Sequence, residues 1–473
     1  MWVLQLDLLL LAALLGHLVR SRASPLRPLS PAAGDEIVQS IGPTVRALLS
    51  IFYFAAAFWK VNHAFLDARY SCAPVFLMQQ LDFLPFDLPD AAVSAIASLA
   101  PAAVLTIEFA VPAALLLGRR PGVLAVLALH LVIAICPPPN NIGCFGVATC
   151  SRLFLLVPDE TSAFLAALPS RPRTAAAAVA AAAALLALTQ SMHPPGSPVD
   201  LAVPYLFLLG ATYALALRSP PPPRPSAAPL RLAHVAVGAV YALGLPALGG
   251  DMGTPNMFSN LRMHGGSNHL IAPTALLHRW LHAAPAADGT RGAFAGGLVR
   301  VEASTLRTLN AMYPGDLSGS FSARTRRRLQ QVGHHPGFFV PMTGRTAALD
   351  PGPPFVPHAS PLGEAFVPYT LRALELRRLL AEARRGGEPF SLAYSRLPGA
   401  EGDEAWRATA RDGPQVRVSD DGVGGRNCTA GGRPCAEDEL ARLPEPAYVA
   451  QRLMFSKPYP ILEGWSEHFL CSE

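Results

Sequence analysis

The first 249 residues of the chain are a succession of apolar runs with short polar connections, at roughly 2–19, 44–60, 91–118, 122–137, 142–157, 173–190, 201–217 and 232–249. Runs of this length constrain the fold more than any other feature. Hydrocarbon offers the backbone no water, so a spanning segment must satisfy its own N–H and C=O groups, and a run near ~20 residues does so as a helix. The composition agrees: of 473 residues 51% are apolar and only 15% charged, which sets the chain apart from ordinary soluble domains. The expected fold is an all-α multi-pass transmembrane helical bundle over 44–249, followed by a mixed α+β extramembrane domain over 250–473. Residues 1–43 form an N-terminal apolar segment and loop. They read as a signal, as a first helix, or as what remains of a longer bundle. The run at 142–157 follows Pro137-Pro138-Pro139 and reads as a short or re-entrant segment. The run at 173–190 is almost all alanine and is the weakest.

Basic residues cluster in four connections: Arg20, Arg22 and Arg27; Arg119 and Arg120; Arg171 and Arg173; Arg218, Arg224 and Arg231. Placing all four on the cytoplasmic side satisfies the positive-inside rule. Residues 61–90 and the whole tail then lie in a lumen or outside the cell, in the endoplasmic reticulum or another endomembrane if the cell is eukaryotic. The net charge of +5 comes mostly from these connections and from tail arginines, and calls for no nucleic-acid partner.

Three ionisable residues stand out in or beside the apolar runs. Lys60 ends the uncharged stretch 47–59, Glu108 interrupts AVLTIEFAVPAALLL, and His130 sits in VLAVLALHLVIAIC. Such residues cost at least ~2.5–3.5 kcal/mol each at membrane depth and usually face a polar interior. Taken singly, each has a plain reading. Lys60 snorkels to the interface, His130 bonds a backbone carbonyl, and Glu108 is a protonated or interhelically bonded carboxyl. Three in consecutive segments read together as a candidate polar site.

The stretch YFAAAFWKVNHAFLDARYSCA resembles the helix-and-loop motif of the vitamin K-dependent gamma-carboxylase-like family, also called the horizontally transferred transmembrane domain (HTTM) family. Tyr53, Lys60, Val61, Asn62 and Phe65 fill its motif places. HLVIAICPPPNNIGCFGVATCSRLFLLVP is similar to the next block, with His130 and Phe145 in register. NMFSNLRMHGGSNHLI, residues 256–271, resembles the Met-Phe-Ser-led segment that follows the last span. The resemblance covers roughly residues 40–275. It departs from the family in three places: one apolar run precedes residue 44 where the family has several helices, Ala55-Ala56-Ala57-Phe58-Trp59 replaces a glycine-containing stretch, and no stretch matches the propeptide-binding region of the animal enzymes.

The resemblance implies a quinone-dependent carboxylation of a protein or other carboxylate substrate, with vitamin K hydroquinone or a similar lipid quinone as cofactor. Lys60 takes the place of the base that deprotonates the hydroquinone. Burial disfavours the charged form of an amine, which suits it to that task. On this reading His130 orients or stabilises the developing phenolate, Glu108 tunes the lysine, and Tyr53 and Asn62 contact the cofactor. The alternative is a non-catalytic membrane transporter or scaffold that uses the same polar residues for packing or permeation. No internal repeat of the kind transporters carry is visible.

In the tail, TLRALELRRLLAEARR (370–385) has helical spacing and a Gly386-Gly387 stop, and LVRVEAS (298–304), FSLAYSRL (390–397) and QVRVS (415–419) read as strands. Pro/Gly stretches at 349–358 and 399–402 read as loops. NCTAGGRPC sets Cys428 and Cys435 across a Gly-Gly turn, which fits a small disulfide loop in an oxidising compartment. Cys72 is expected to pair with a tail cysteine. Asn427-Cys428-Thr429 is formally a glycosylation sequon. RTRRRLQQ (324–331) reads as a solvated basic helix face, and neither His334-His335 nor His264 with His269 has a full set of metal ligands around it, so no metal is expected. Expected partners are membrane lipid and a protein substrate.

Overall fold

The structure, a computed structural model, describes residues 2–21, 30–135, 142–167, 172–192, 199–218, 229–244 and 246 of the apolar half. In the remainder it describes 259, 261, 269–272, 298–306, 315–316, 322–334, 338–339, 369–396, 412–435 and 459–460. The loops expected at 349–358 and 399–402 lie outside these residues. The chain forms two compact units, one of residues 1–58, 76–87 and 102–242, the other of 59–75, 88–101 and 243–473. Two stretches of the apolar half, 59–75 and 88–101, fall in the second unit.

The helices of the apolar half are α1 (Trp2–Ser21), α2 (Pro31–Trp59), α3 (His63–Leu66), α4 (Cys72–Gln80), α5 (Asp90–Leu117), α6 (Arg119–Ala134), α7 (Ile142–Cys150), α8 (Pro158–Ala167), α9 (Pro172–Met192), α10 (Val199–Ala216) and α11 (Leu232–Ala239). Among the described residues three helices are long and apolar enough to cross a membrane, Val3–Ser21, Ala33–Trp59 and Asp90–Leu117. Phe145–Leu155, Ala202–Ala216 and Leu232–Gly244 are shorter apolar helices. Several expected runs are thus interrupted. The helix α6 ends at Ala134, ahead of the three prolines at 137–139, and a proline biases the residue before it away from helix. The run at 142–157 breaks into α7 and a 3-10 turn at Leu153–Leu155, and the last run passes into a π turn over Val240–Gly244.

In the first unit α2 is the helix around which the core forms. Ile37, Ile41, Val45, Leu48, Leu49 and Phe52 recur at spacings of three and four and are all buried, the stripe of a helix packed along its length. Leu6 and Leu9 of α1, Leu115 of α5, Val123 and Val126 of α6 and Val203 and Leu206 of α10 complete this core. The opposite pattern appears on α1, where Leu4, Leu8, Leu11 and Leu15 are exposed on one face. A continuous exposed leucine stripe is a liability in water and a fit to lipid.

One end of this unit is polar. His17 lies 4.0 Å from Glu36, Gln39 Nε2 donates to Asp159 Oδ1 at 3.1 Å, and Arg120 lies 4.0 Å from Glu160. Arg119 Nη1 donates to the Leu156 carbonyl, and the Arg231 N–H to Thr44 Oγ1. Two of the four basic connections, the α5–α6 turn and the start of α11, thus contribute to one layer.

In the second unit a seven-stranded antiparallel sheet has the order β8-β7-β6-β5-β1-β4-β9. Its strands are β1 (Leu298–Ser304), β4 (Tyr369–Arg372), β5 (Phe390–Arg396), β6 (Asp412–Asp420), β7 (Arg426–Ala430), β8 (Arg433–Pro434) and β9 (Tyr459–Pro460); β2 (Gly315–Asp316) and β3 (Phe338–Phe339) pair separately. Alternation sets the faces, with Val299 and Val301 of β1 buried together with Leu392 and Tyr394 of β5. The helix expected over 370–385 begins at Ala373, as α13 (Ala373–Arg385), because Tyr369–Arg372 pairs with Val301–Leu298 as a strand instead. It ends as expected: Glu388 N–H bonds the Ala383 carbonyl and Gly387 N–H that of Arg384, the paired bonds of a Schellman stop. Arg378 is buried on α13 between Glu375 and Glu382. Burial opposes its charge, but the two carboxylates outweigh that and raise its pKa.

The disulfide expected between Cys428 and Cys435 is present, joining β7 to the residue after β8. Gly431 and Gly432 between these strands have φ of 57° and 79°, the two positive values a two-residue hairpin turn requires. Cys72 is also disulfide-bonded, to a cysteine whose side chain is outside the described set. The basic helix α12 (Ala323–Gln331) buries Thr325, Arg328 and Leu329 and leaves Arg326 and Arg327 exposed.

Close helix packing in the first unit depends on glycine at the α5–α6 turn, where a Cβ on Gly122 would lie 2.9 Å from Leu115 Cα. Gly122→Ala is therefore expected to destabilise the protein by ~1–3 kcal/mol through overpacking. Gly210→Ala on α10, with nothing within 4 Å of its Cβ, should be neutral or stabilising by up to ~1 kcal/mol. Paired thermal melts of the full chain in detergent read the contrast.

Candidate functional site

Within the first unit α2 and α6 bring Tyr53 and His130 together. Both are buried, and Tyr53 Oη lies 2.6 Å from His130 Nε2. The bond forms in either sense, the phenol donating to a bare Nε2 or Nε2–H donating to the phenol oxygen. Both forms are neutral, so the pair sits among apolar side chains without burying a net charge.

Aromatic rings enclose the pair. Phe52 lies 5.5 Å from both Tyr53 and Phe145, and the ring of Phe145 is 5.5 Å from that of His130. The approach of α7 depends on Gly146, where a Cβ would fall 3.2 Å from His130 Nδ1 and 3.3 Å from Leu206. His130 Nδ1 is itself buried and makes no hydrogen bond among the described residues. Glu108 is buried on α5 in the same unit, within electrostatic range of the Tyr53 hydroxyl. Tyr53, His130 and Glu108 thus gather in one unit.

Lys60 and Asn62 belong to the other. Lys60 is 6% exposed, so its side chain does not extend to solvent as a snorkelling lysine would, and it is engaged by groups beyond those described. The loop that carries it is held by Asn62. The Asn62 amide donates to the Trp59 carbonyl at 2.9 Å and the Ser259 carbonyl at 2.6 Å, while its Oδ1 accepts from Phe65 N–H at 2.9 Å and caps α3. Both N–H groups of the amide are thereby committed to holding the chain.

Ser259 and residues 269–272 pack against this loop. Leu270 N–H bonds the Val61 carbonyl, Asn62 and His269 pair as an isolated antiparallel bridge, and the Trp59 and His269 rings lie 5.3 Å apart. His269 Nδ1 accepts from the N–H groups of Ile271 and Ala272, which fixes its proton on Nε2. Further along, buried His334 lies 2.8 Å through Nε2 from the Ser71 carbonyl, and Gln331 bonds Asp90. His269 and His334, weighed in the sequence only as metal ligands, are backbone clasps. Among the described residues no group of three or more His, Cys, Asp or Glu could hold a metal ion.

Residues 267–452 match the family of a domain of unknown function, DUF8388. That stretch begins just before His269 and contains β1 to β8 with the Cys428–Cys435 disulfide. No curated protein and no solved structure matches the chain.

Two outcomes are expected. A double-mutant cycle on Tyr53→Phe and His130→Leu, read by thermal unfolding in detergent, should give a coupling of ~0.5–1.5 kcal/mol for the shared bond, and no coupling would mean the bond does not form. Asn62→Ala removes a helix cap of ~1 kcal/mol and two carbonyl bonds of ~1 kcal/mol each. Hydrogen exchange should show lost protection at 59–66 and 269–272 together; protection retained in either stretch contradicts the clasp.

Proposed function

We propose that the chain is a multi-pass membrane protein of the carboxylase-like class that acts on a lipid-soluble quinol, with Lys60 as the base and the tail on the lumenal or extracellular side. The observation that carries this reading is that the motif blocks resembling the family are paired in space. The block with Tyr53 meets the block with His130 and Phe145, and the block with Lys60 and Asn62 is held by Ser259 and His269. Residues 77 and 197 apart in sequence are joined in this way.

The residues suit a quinol. Its rings and isoprenoid chain call for an apolar, aromatic surround, which Phe52 and Phe145 supply beside Tyr53 and His130. Its hydroxyls call for neutral hydrogen-bonding groups, which the phenol and imidazole are. When bound, the quinol supplies the reducing power and the oxygen chemistry of the reaction. By the resemblance, Lys60, buried just after α2, would serve as the base for a quinol hydroxyl. Within the first unit Tyr53 and His130 would offer a quinol hydroxyl neutral hydrogen-bonding partners, with the Glu108 carboxyl nearby. The membrane part of the proposal draws on the three long apolar helices and on the outward leucine stripe of α1. The orientation draws on the gathering of basic connections into one polar layer, which the positive-inside rule sets on the cytoplasmic face.

Vitamin K hydroquinone serves as the probe. Detergent-purified wild-type protein should show hydroquinone-dependent oxygen uptake, and Lys60→Ala and Lys60→Arg should both lose it, since an arginine cannot act as a base. Uptake unchanged in Lys60→Ala, with normal amounts of folded protein, contradicts the assignment.

A further inference from the structure

We infer that Asn427 carries an N-linked glycan, attached before the Cys428–Cys435 loop closes; this rests on the lumenal placement of the tail proposed above. Asn427-Cys428-Thr429 is the only Asn-X-Ser/Thr sequence in the chain, X being any residue but proline. The structure gives it a setting that a sequon alone does not have. Strand alternation puts Asn427 and Thr429 on one face of β7 and Cys428 on the other, so the modified amide and the disulfide point to opposite sides of the sheet.

Asn427 is exposed and pairs in register with exposed Ser419, and Thr429 pairs with exposed Arg417. Beside them an open groove is lined by Gln415, Arg417, Thr429, Gly431 and Gly432. The guanidinium and amide donors match sugar hydroxyls, and the two glycines leave the floor low. The first sugars on Asn427 have the exposed Arg417 one residue pair away, and the core face of the sheet is untouched.

Timing follows from the fold. An acceptor asparagine must be presented in an open, extended chain, whereas Asn427 in the finished sheet lies in a strand hydrogen-bonded to β6 and tied by the disulfide to β8. In the transfer, the amide nitrogen of Asn427 bonds to the anomeric carbon of a lipid-diphosphate-linked oligosaccharide. The bond from that carbon to the diphosphate oxygen breaks, the amide gives up one proton, and the lipid diphosphate leaves. Closure of the Cys428–Cys435 loop competes with this step, because it folds the acceptor away.

The full chain translated into sealed eukaryotic microsomes tests this. One peptide-N-glycosidase-sensitive species is expected, absent in Asn427→Gln and in Thr429→Ala. Cys435→Ser, which cannot close the loop but keeps the sequon, should raise the glycosylated fraction about twofold or more. Protease added outside the microsomes separates this inference from the topology. A protected tail without glycan overturns the glycan and leaves the topology standing. A digested tail without glycan overturns both, and a glycosylated fraction unchanged in Cys435→Ser overturns the competition with loop closure.

Discussion

The burial of one whole face of α2 is the constraint on which the rest of the first unit depends. Some 61% of this helix's apolar window is buried, against 17% for α1 and 33% for α5. With its stripe of Ile37 to Phe52 in one core with residues of α1, α5, α6 and α10, α2 cannot rotate without exposing residues that the core covers. Its rotation fixes which way Tyr53 points, and a phenol held at that depth needs a partner, because an unbonded buried hydroxyl costs ~1–3 kcal/mol. His130 on α6 is that partner. The aromatic contacts and the glycine on α7 follow, since a ring pair of this size fits only where the third helix presents no side chain.

The second unit solves a different problem, that of fixing a lysine-bearing loop with no regular structure of its own. Asn62 does so by using both ends of its amide at once, and the backbone of His269 and Leu270 completes the pairing as a short strand would. Buried histidines serve here as hydrogen-bonding groups to backbone, which is a common use of a neutral imidazole. The sheet beyond is held by alternation, a capped helix and one disulfide. Closing a loop of about eight residues, that disulfide restricts the unfolded chain by ~2.5 kcal/mol in the chain-entropy account.

Much of this was legible in the sequence where the cause is local. The alternation of LVRVEAS gave β1 its limits, the Gly-Gly between Cys428 and Cys435 gave the hairpin and its disulfide, and Gly386-Gly387 gave the end of α13. The start of α13 was not legible, because Tyr369–Arg372 has the propensity to continue the helix and is diverted only by pairing with β1, 68 or more residues earlier. The eight apolar runs overstate the long helices for a related reason, as hydropathy does not register the breaks at Ile135 and at Ser151-Arg152. At the site, His130 and Glu108 were visible as polar residues in apolar surroundings, but the choice of Tyr53 as the partner of His130 depends on helix packing across 77 positions. Gly146 carried no signal beyond being a glycine in a helix. His269 was visible only as one of two nearby histidines, since nothing in its neighbours reveals that two backbone amides point at Nδ1.

The central claim is that the buried polar groups of this chain serve a quinol, and lipid content tests it most directly. Protein purified in mild detergent, extracted with organic solvent and analysed by mass spectrometry, should release an isoprenoid quinone in near-stoichiometric amount, and Tyr53→Phe combined with His130→Leu should release far less. Well-folded wild-type protein that yields phospholipid but no quinone, even after incubation with vitamin K hydroquinone, would contradict the account.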